Sequence, residues 1–236
     1  MEKIVFVGDI HGNLGTINKV QERYRDWRKI FVGDILDSFF NTVEEQIACL
    51  TILRYMIANE NTEVIFGNHE VSYMFPNERC TGHNPEMQLH FDYDDGLKDI
   101  RRKFRWYLSF EYGHERFLVT HAGLSNRLLR THKVPLKIQE IESTLDEWVL
   151  KFMRQQPTPF GWSGRTRGGV DSVGGPLWCD FMEFEEIPGI VQIFGHTPGA
   201  DFKQCGESWC IDIREDIRER KVLELVDGIF TVRPLT

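Results

Sequence analysis

Residues 4–12 read Ile4-Val5-Phe6-Val7-Gly8-Asp9-Ile10-His11-Gly12. A run of β-branched and aromatic residues with no polar interruption is the pattern of a strand buried on both faces. This one stops at a glycine followed by a carboxylate. The phrase then returns twice: Ile30-Phe31-Val32 ends in Gly33-Asp34, and Val64-Ile65-Phe66 ends in Gly67-Asn68. Residues 13–24 and 42–58 lie between these runs and have helical character. The second carries Val43, Ile47, Leu50, Leu53 and Ile57 at the spacing of one helix face. Strand, helix, strand, helix, strand predicts an α/β chain that begins as a doubly wound sheet.

Two more apolar runs follow. Phe117-Leu118-Val119 leads into Thr120-His121-Ala122-Gly123, and Ile190-Val191-Gln192-Ile193-Phe194 leads into Gly195-His196-Thr197. The tail predicts a meander of strands near 208–213, 222–226 and 229–233, the last two joined at Asp227-Gly228. Two stretches interrupt the plan. Residues 76–112 are polar and aromatic, and 124–188 hold helices and the loop Gly161-Trp162-Ser163-Gly164-Arg165-Thr166-Arg167-Gly168-Gly169. Neither reads as a domain with its own core. The expectation is one domain over residues 1–236, with insertions at about 76–112 and 124–188 covering the strand ends.

Composition narrows the class. A chain of 236 residues with 41% hydrophobic and 27% charged residues, six Trp and seventeen Phe is that of a globular protein with a filled core. The net charge of −8 argues against a nucleic-acid binder, which needs a basic face. Five cysteines without a CxxC pair argue against a disulfide framework or a zinc ribbon. No signal peptide or membrane span is evident, so the expected compartment is the cytoplasm, with no membrane partner.

The chemistry lies where the runs stop. In an α/β sheet the carboxyl ends of the strands are where loops converge on a ligand. Five signatures stand at such ends: Gly8-Asp9-Ile10-His11-Gly12, Gly33-Asp34-Ile35-Leu36-Asp37, Gly67-Asn68-His69-Glu70, His121-Ala122-Gly123 and Gly195-His196-Thr197. Each alone has an ordinary explanation as a turn or a surface histidine; the ordered set does not. Carboxylate, imidazole and amide oxygen together suit Mn, Fe or Zn rather than Ca. A carboxylate such as Asp34 can bridge two ions about 3.5–4 Å apart.

In this order the five signatures resemble the calcineurin-like metallophosphoesterase superfamily. They are most similar to the serine/threonine phosphoprotein phosphatases and their bacterial and phage relatives, which include symmetrical diadenosine tetraphosphatases. The resemblance spans the chain and implies a layered fold with a central pair of mixed sheets flanked by helices. It also implies two divalent ions, Mn²⁺ first and Fe, Zn, Co or Ni as alternatives. Asp9, His11 and Asp34 would hold one ion, and Asp34, Asn68, His121 and His196 the other. His196 is followed by Thr197-Pro198, so a further histidine ligand found in some members is absent.

The implied reaction is hydrolysis of a phosphate monoester by hydroxide that the ion pair makes available near neutral pH. His69 would be the general acid for the leaving group, and Asp37 would orient it. The expected substrate is a phosphorylated protein, at phosphoserine or phosphothreonine, or a small phosphate ester. The alternatives are a symmetrical dinucleoside tetraphosphate hydrolase and a non-catalytic, metal-stabilised binding module. One departure weakens the substrate assignment. The phosphoprotein phosphatases place Arg-Gly after the second aspartate, whereas Asp37 is followed here by Ser38-Phe39-Phe40. Arg165 and Arg167 are the candidates to grip the phosphate in its place, beside Asn68. The acidic group Asp92, Asp94, Asp95 and Asp99 is expected to be a helix start. Phe104, Trp106, Tyr107 and Phe110 are expected to pack, and His83, His90, His114 and His132 receive no role.

Overall fold

The computed structural model describes residues 2–235. It divides into two compact units: residues up to Arg105 together with those from Ile213 onward, and Trp106–Asp212. The first unit begins with β1 (Ile4–Val7), α1 (Leu14–Arg23), β2 (Arg28–Phe31), α2 (Val43–Asn59) and β3 (Thr62–Val64), then α3 (Asn68–Met74), α4 (Pro85–Tyr93) and α5 (Asp95–Lys103). The second unit holds β4 (Leu108–Tyr112), β5 (Glu115–Val119), α6 (Asn126–Thr131), α7 (Ile138–Met153), β6 (Val191–Phe194), β7 (Lys203–Cys205) and β8 (Ser208–Cys210). The chain then returns to the first unit with β9 (Lys221–Val226) and β10 (Ile229–Pro234).

Each unit is built on a mixed five-stranded sheet, ordered β10-β9-β1-β2-β3 in the first and β4-β5-β6-β8-β7 in the second. The protein is therefore α/β, with two mixed sheets flanked by helices. β1, β2 and β3 pair in parallel, and β9 joins β1 antiparallel. The β1 run is buried at every position, as its unbroken apolar sequence requires. Local sequence fixes the helix starts. The Asn13 side chain accepts the Thr16 amide at 2.9 Å, and Thr42 and Glu45 close a reciprocal capping box on α2.

Lys29 on β2 is fully buried, with Nζ donating to the carbonyls of Tyr24, Arg25 and Trp27 and pairing with Glu60 at 3.0 Å. It ties the end of α1 to the end of α2, and every donor it carries inside is used.

The tail departs from the expected meander. β8 joins the second sheet, parallel to β6 and antiparallel to β7, while β9 and β10 form a hairpin in the first. Residues 208–213 are apolar enough for a strand, but alternation does not reveal which sheet a strand joins. β4 lies inside the stretch whose polar and aromatic residues suggest an insertion, and β7 has no counterpart among the strands the sequence predicts. Asp94 caps α5 through the amides of Gly96 and Leu97, as expected of a helix start. The aromatic group packs: Phe104 against Phe66, Trp106 against Phe152 and Phe160, and Phe110 stacked on Phe117. No helix among the described residues is long and apolar enough to cross a membrane.

Candidate metal centre

The loops that follow β1, β2 and β3 are bonded to one another in the first unit. The Asp34 carbonyl accepts the amides of Ile10 and His11, each at 2.9 Å, and the Ile35 carbonyl accepts Gly12 at 2.7 Å. Gly67 touches the same corner. A Cβ on it would collide with the backbone nitrogen and the carboxylate of Asp34, so the third loop can approach only as glycine.

These loops hold an unusual backbone. His11, Asp34 and Asp37 have φ of 46°, 47° and 61°, and in the second unit His196 has 67°. Among the described residues, seven non-glycine residues have positive φ, and four of them are signature residues. Left-handed backbone is costly for side chains with a Cβ and collects where function over-rides local preference.

The side chains of the first unit are mutually oriented. His11 Nδ1 lies 2.9 Å from the Leu36 carbonyl and 3.0 Å from that of Asp37. Carbonyls only accept, so Nδ1 carries the proton and Nε2 is left with its lone pair, the tautomer a metal ligand needs. The His11 ring meets that of His69 edge-on at 5.1 Å. His69 Nδ1 sits 3.0 Å from Asp37 Oδ2, Nε2 lies 3.9 Å from Asp34 Oδ2, and its backbone N–H donates to Asp34 Oδ1. Burial alone would lower the His69 pKa; the Asp34 charge and the bond to Asp37 outweigh it and hold it well above the ordinary value.

Two braces were not assigned a role from sequence. Glu70 is buried and accepts four amides, those of Ile35 and Leu36 on Oε1 and those of Asp34 and Gly67 on Oε2, at 2.8–3.1 Å. Burial and the neighbouring Asp34 charge push its carboxyl up, against the Gly67 and Leu36 amides, which favour the ionised form. Gln46 on α2 accepts the Asp37 amide at 2.9 Å and donates to the Asn41 carbonyl. Glu70 stands inside the quoted Gly67-Asn68-His69-Glu70 signature, so its place was visible but its task was not. Gln46 gave no sequence signal.

Ser38 shapes the loop after Asp37. Its hydroxyl donates to Glu215 at 2.7 Å and accepts the amides of Phe40 and Asn41, while the Asn41 side chain reaches the His11 carbonyl. Phe39 and Phe40 project outward, about 70% exposed. The position after Asp37 thus carries a carboxylate neighbour and no guanidinium.

In the second unit, His121 and His196 are buried, with Nε2 of the first 3.2 Å from Nδ1 of the second. The Gly195 amide donates to the His121 carbonyl, and the Trp178 ring meets His196 edge-on at 5.4 Å. Arg167 donates to the His196 carbonyl at 3.0 Å and to Thr197 Oγ1 at 3.2 Å, and its Nε pairs with Asp180 at 2.9 Å. Arg165 is exposed at the start of the same short 3₁₀ turn.

Both donor sets fit a divalent ion. The first unit buries Asp9, Asp34, Asp37 and Glu70 to between 1% and 6% exposure, negative charge that a bound cation would neutralise. His11, Asp34 and His69 each offer a ligand atom within 4.8 Å of the others. The 3.2 Å between the ring nitrogens of His121 and His196 is what two imidazoles on one ion would have, at about 2.1 Å per bond and roughly right-angled geometry.

A corner of backbone-braced carboxylates in the first unit and a pair of facing histidines in the second are donor sets of the kind that metal-dependent hydrolases use. The profile of the calcineurin-like phosphoesterases matches residues 2–200, and the chain belongs to that family. The family is one of metal-dependent phosphoesterases, and the described residues include clusters that could hold a metal ion. Among solved structures, it is similar to a mutant of a cold-active protein tyrosine phosphatase, with 13% identity and a TM-score of 0.65 over 100% of this chain and 81% of that one. A candidate diadenosine tetraphosphatase matches with 14% identity and a TM-score of 0.58, over 99% and 93% of the two chains. A protein serine/threonine phosphatase from Saccharomyces cerevisiae gives the same identity and score over 99% and 79%. At these identities the likeness is one of fold. No curated protein sequence matches.

Proposed function

We propose that the enzyme hydrolyses phosphate monoesters with alkoxide leaving groups, of the phosphoserine and phosphothreonine kind. Two divalent ions, Mn²⁺ by preference, would be held by Asp9, His11, Asp34, Asn68, His121 and His196. When bound, they supply Lewis acidity toward the phosphoryl oxygens and make a water acidic enough to attack near neutral pH. The protein's own groups do the rest. Asp34, held by the Glu70-braced backbone, presents both oxygens. His69 holds a proton on Nε2, and Asp37 fixes the ring by accepting from Nδ1. Asn68 and Arg165 bind the phosphate oxygens, and Arg167, tied to Asp180, holds the His196 loop in place.

The observation that carries this reading is the Asp37–His69 pair. An alkoxide departs poorly without a proton, whereas ADP leaves as a weakly basic phosphate and gains far less from a general acid. The test compares a phosphoserine peptide, aryl phosphates of graded leaving-group basicity and diadenosine tetraphosphate, with wild type and His69→Asn. The expected loss on His69→Asn grows with leaving-group basicity, reaching about 10²-fold or more for the peptide. Release of ADP from diadenosine tetraphosphate faster than peptide turnover would overturn the substrate assignment in favour of the dinucleotide. Bound metal without turnover of any ester would make the protein a binding module.

A further inference from the structure

Cys80 stands beside the Asp37–His69 pair. It lies in the loop before α4, partly exposed, with Sγ 3.6 Å from His69 Nδ1. The Asn68 amide and carbonyl lie 3.8 and 3.9 Å from the same sulfur. The loop rests on the Asp37–His69 pair: a Cβ built on Gly82 would lie 3.3 Å from Asp37 Cβ and 3.5 Å from His69 Cε1. Asp37 Oδ1 is taken by the Tyr73 hydroxyl, which itself accepts the Asn84 amide, so Oδ2 is the oxygen that faces His69. Sulfur, ring nitrogen and carboxylate oxygen all fall within 4.8 Å of one another.

We infer that Cys80, His69 and Asp37 form a binding site for a thiophilic divalent cation, of the zinc class, outside the six-residue ligand set. The separations support this. A tetrahedral ion with Zn–S near 2.3 Å and Zn–N and Zn–O near 2.1 Å sets N···S at about 3.6 Å and N···O at about 3.4 Å. The protein holds the first pair at 3.6 Å and the second at 3.0 Å, so one carboxylate oxygen has to move by a few tenths of an ångström. Thiolate with imidazole selects zinc over manganese, whereas the proposed resident site is all oxygen and nitrogen. Binding forms bonds from the ion to Sγ, Nδ1 and Oδ2, with water in the fourth position. The thiol proton and the Nδ1 proton pass to solvent, and nothing is oxidised or reduced.

The consequence rests on His69 being the general acid. An ion on Nδ1 displaces the bond to Asp37 and leaves the Nε2 proton on a neutral ring, where it is a far weaker acid. The cation would therefore slow hydrolysis of esters with basic leaving groups and spare those with good ones.

The test titrates the Mn²⁺-loaded protein with Co²⁺ and with Zn²⁺, as wild type, Cys80→Ser and Cys205→Ser. Wild type and Cys205→Ser should develop a thiolate-to-cobalt charge-transfer absorption with one added equivalent; Cys80→Ser should not. Zn²⁺ should inhibit phosphopeptide hydrolysis in wild type, and Cys80→Ser should raise the required concentration at least about tenfold with its basal activity kept. Absence of the absorption in wild type, or its persistence in Cys80→Ser, overturns the site. If the absorption depends on Cys80 yet peptide and aryl phosphate hydrolysis are slowed alike, the site stands and the general-acid role of His69 falls.

Discussion

The two units carry unlike donor sets. The first gathers four buried acids around bent backbone, with Glu70 holding four amides in place. The second offers two facing imidazoles, steadied by an arginine whose charge is already matched by Asp180. One half accumulates negative charge and the other is close to neutral. A cation would therefore change the electrostatics of the first unit more than those of the second.

That contrast can be broken at several points. The largest effect is expected from Asp34→Asn, which leaves the fold but removes the carboxylate proposed to join both ions. The turnover rate should fall by about 10³-fold or more, with metal content by elemental analysis falling with it. His121→Asn, which takes one neutral ligand from the second half, should cost less of both. Equal losses would remove the asymmetry.

Glu70→Gln comes next and acts on stability. An amide keeps one acceptor and turns its NH₂ toward backbone N–H groups, leaving buried donors unmatched at about 1–3 kcal/mol. Denaturant unfolding of the metal-free protein should show a lower midpoint with an unchanged slope. The two loop arginines should separate cleanly. Arg165→Ala should raise KM several-fold with kcat nearly kept. Arg167→Ala should lower kcat and weaken metal retention, because it releases the His196 carbonyl and leaves Asp180 without its partner. Matching effects on KM from both would return Arg167 to the phosphate.

The smallest effect concerns pH. His132 lies between Trp148 and Trp162, and burial lowers its pKa below the ordinary value, with the Asp171 charge opposing. The unfolded chain therefore takes up this proton first as pH falls. The contribution is complete above about pH 6.5 and declines below it, toward the folded pKa. His132→Phe keeps a ring against both tryptophans and should flatten that part of the thermal midpoint's acid limb. An unchanged limb would discharge His132 from any such part.

The contrast also shows what was legible in the sequence. The strands whose ends carry Gly-Asp, Gly-Asn or Gly-His could be read because apolar run and polar stop coincide in a few residues. β4 and β7 could not, since they are short, part polar and defined by partners distant in the chain. Assigning β8 to a sheet failed for the same reason. Within the site, Asp34 and His11 announce themselves by motif. Gln46 does not: it acts from 9 residues away, across the turn, on a backbone amide that no pattern of side chains records.

The left-handed corners at His11, Asp34, Asp37 and His196 bear on how such a protein would change if it ceased to be selected for catalysis. Asparagine tolerates this backbone better than most residues and carries no charge to bury. Asp34→Asn should therefore melt higher than wild type when both are stripped of metal, in spite of its expected loss of turnover. A lineage released from turnover would drift first at these corners, toward asparagine and glycine, while the strands behind them stayed as they are.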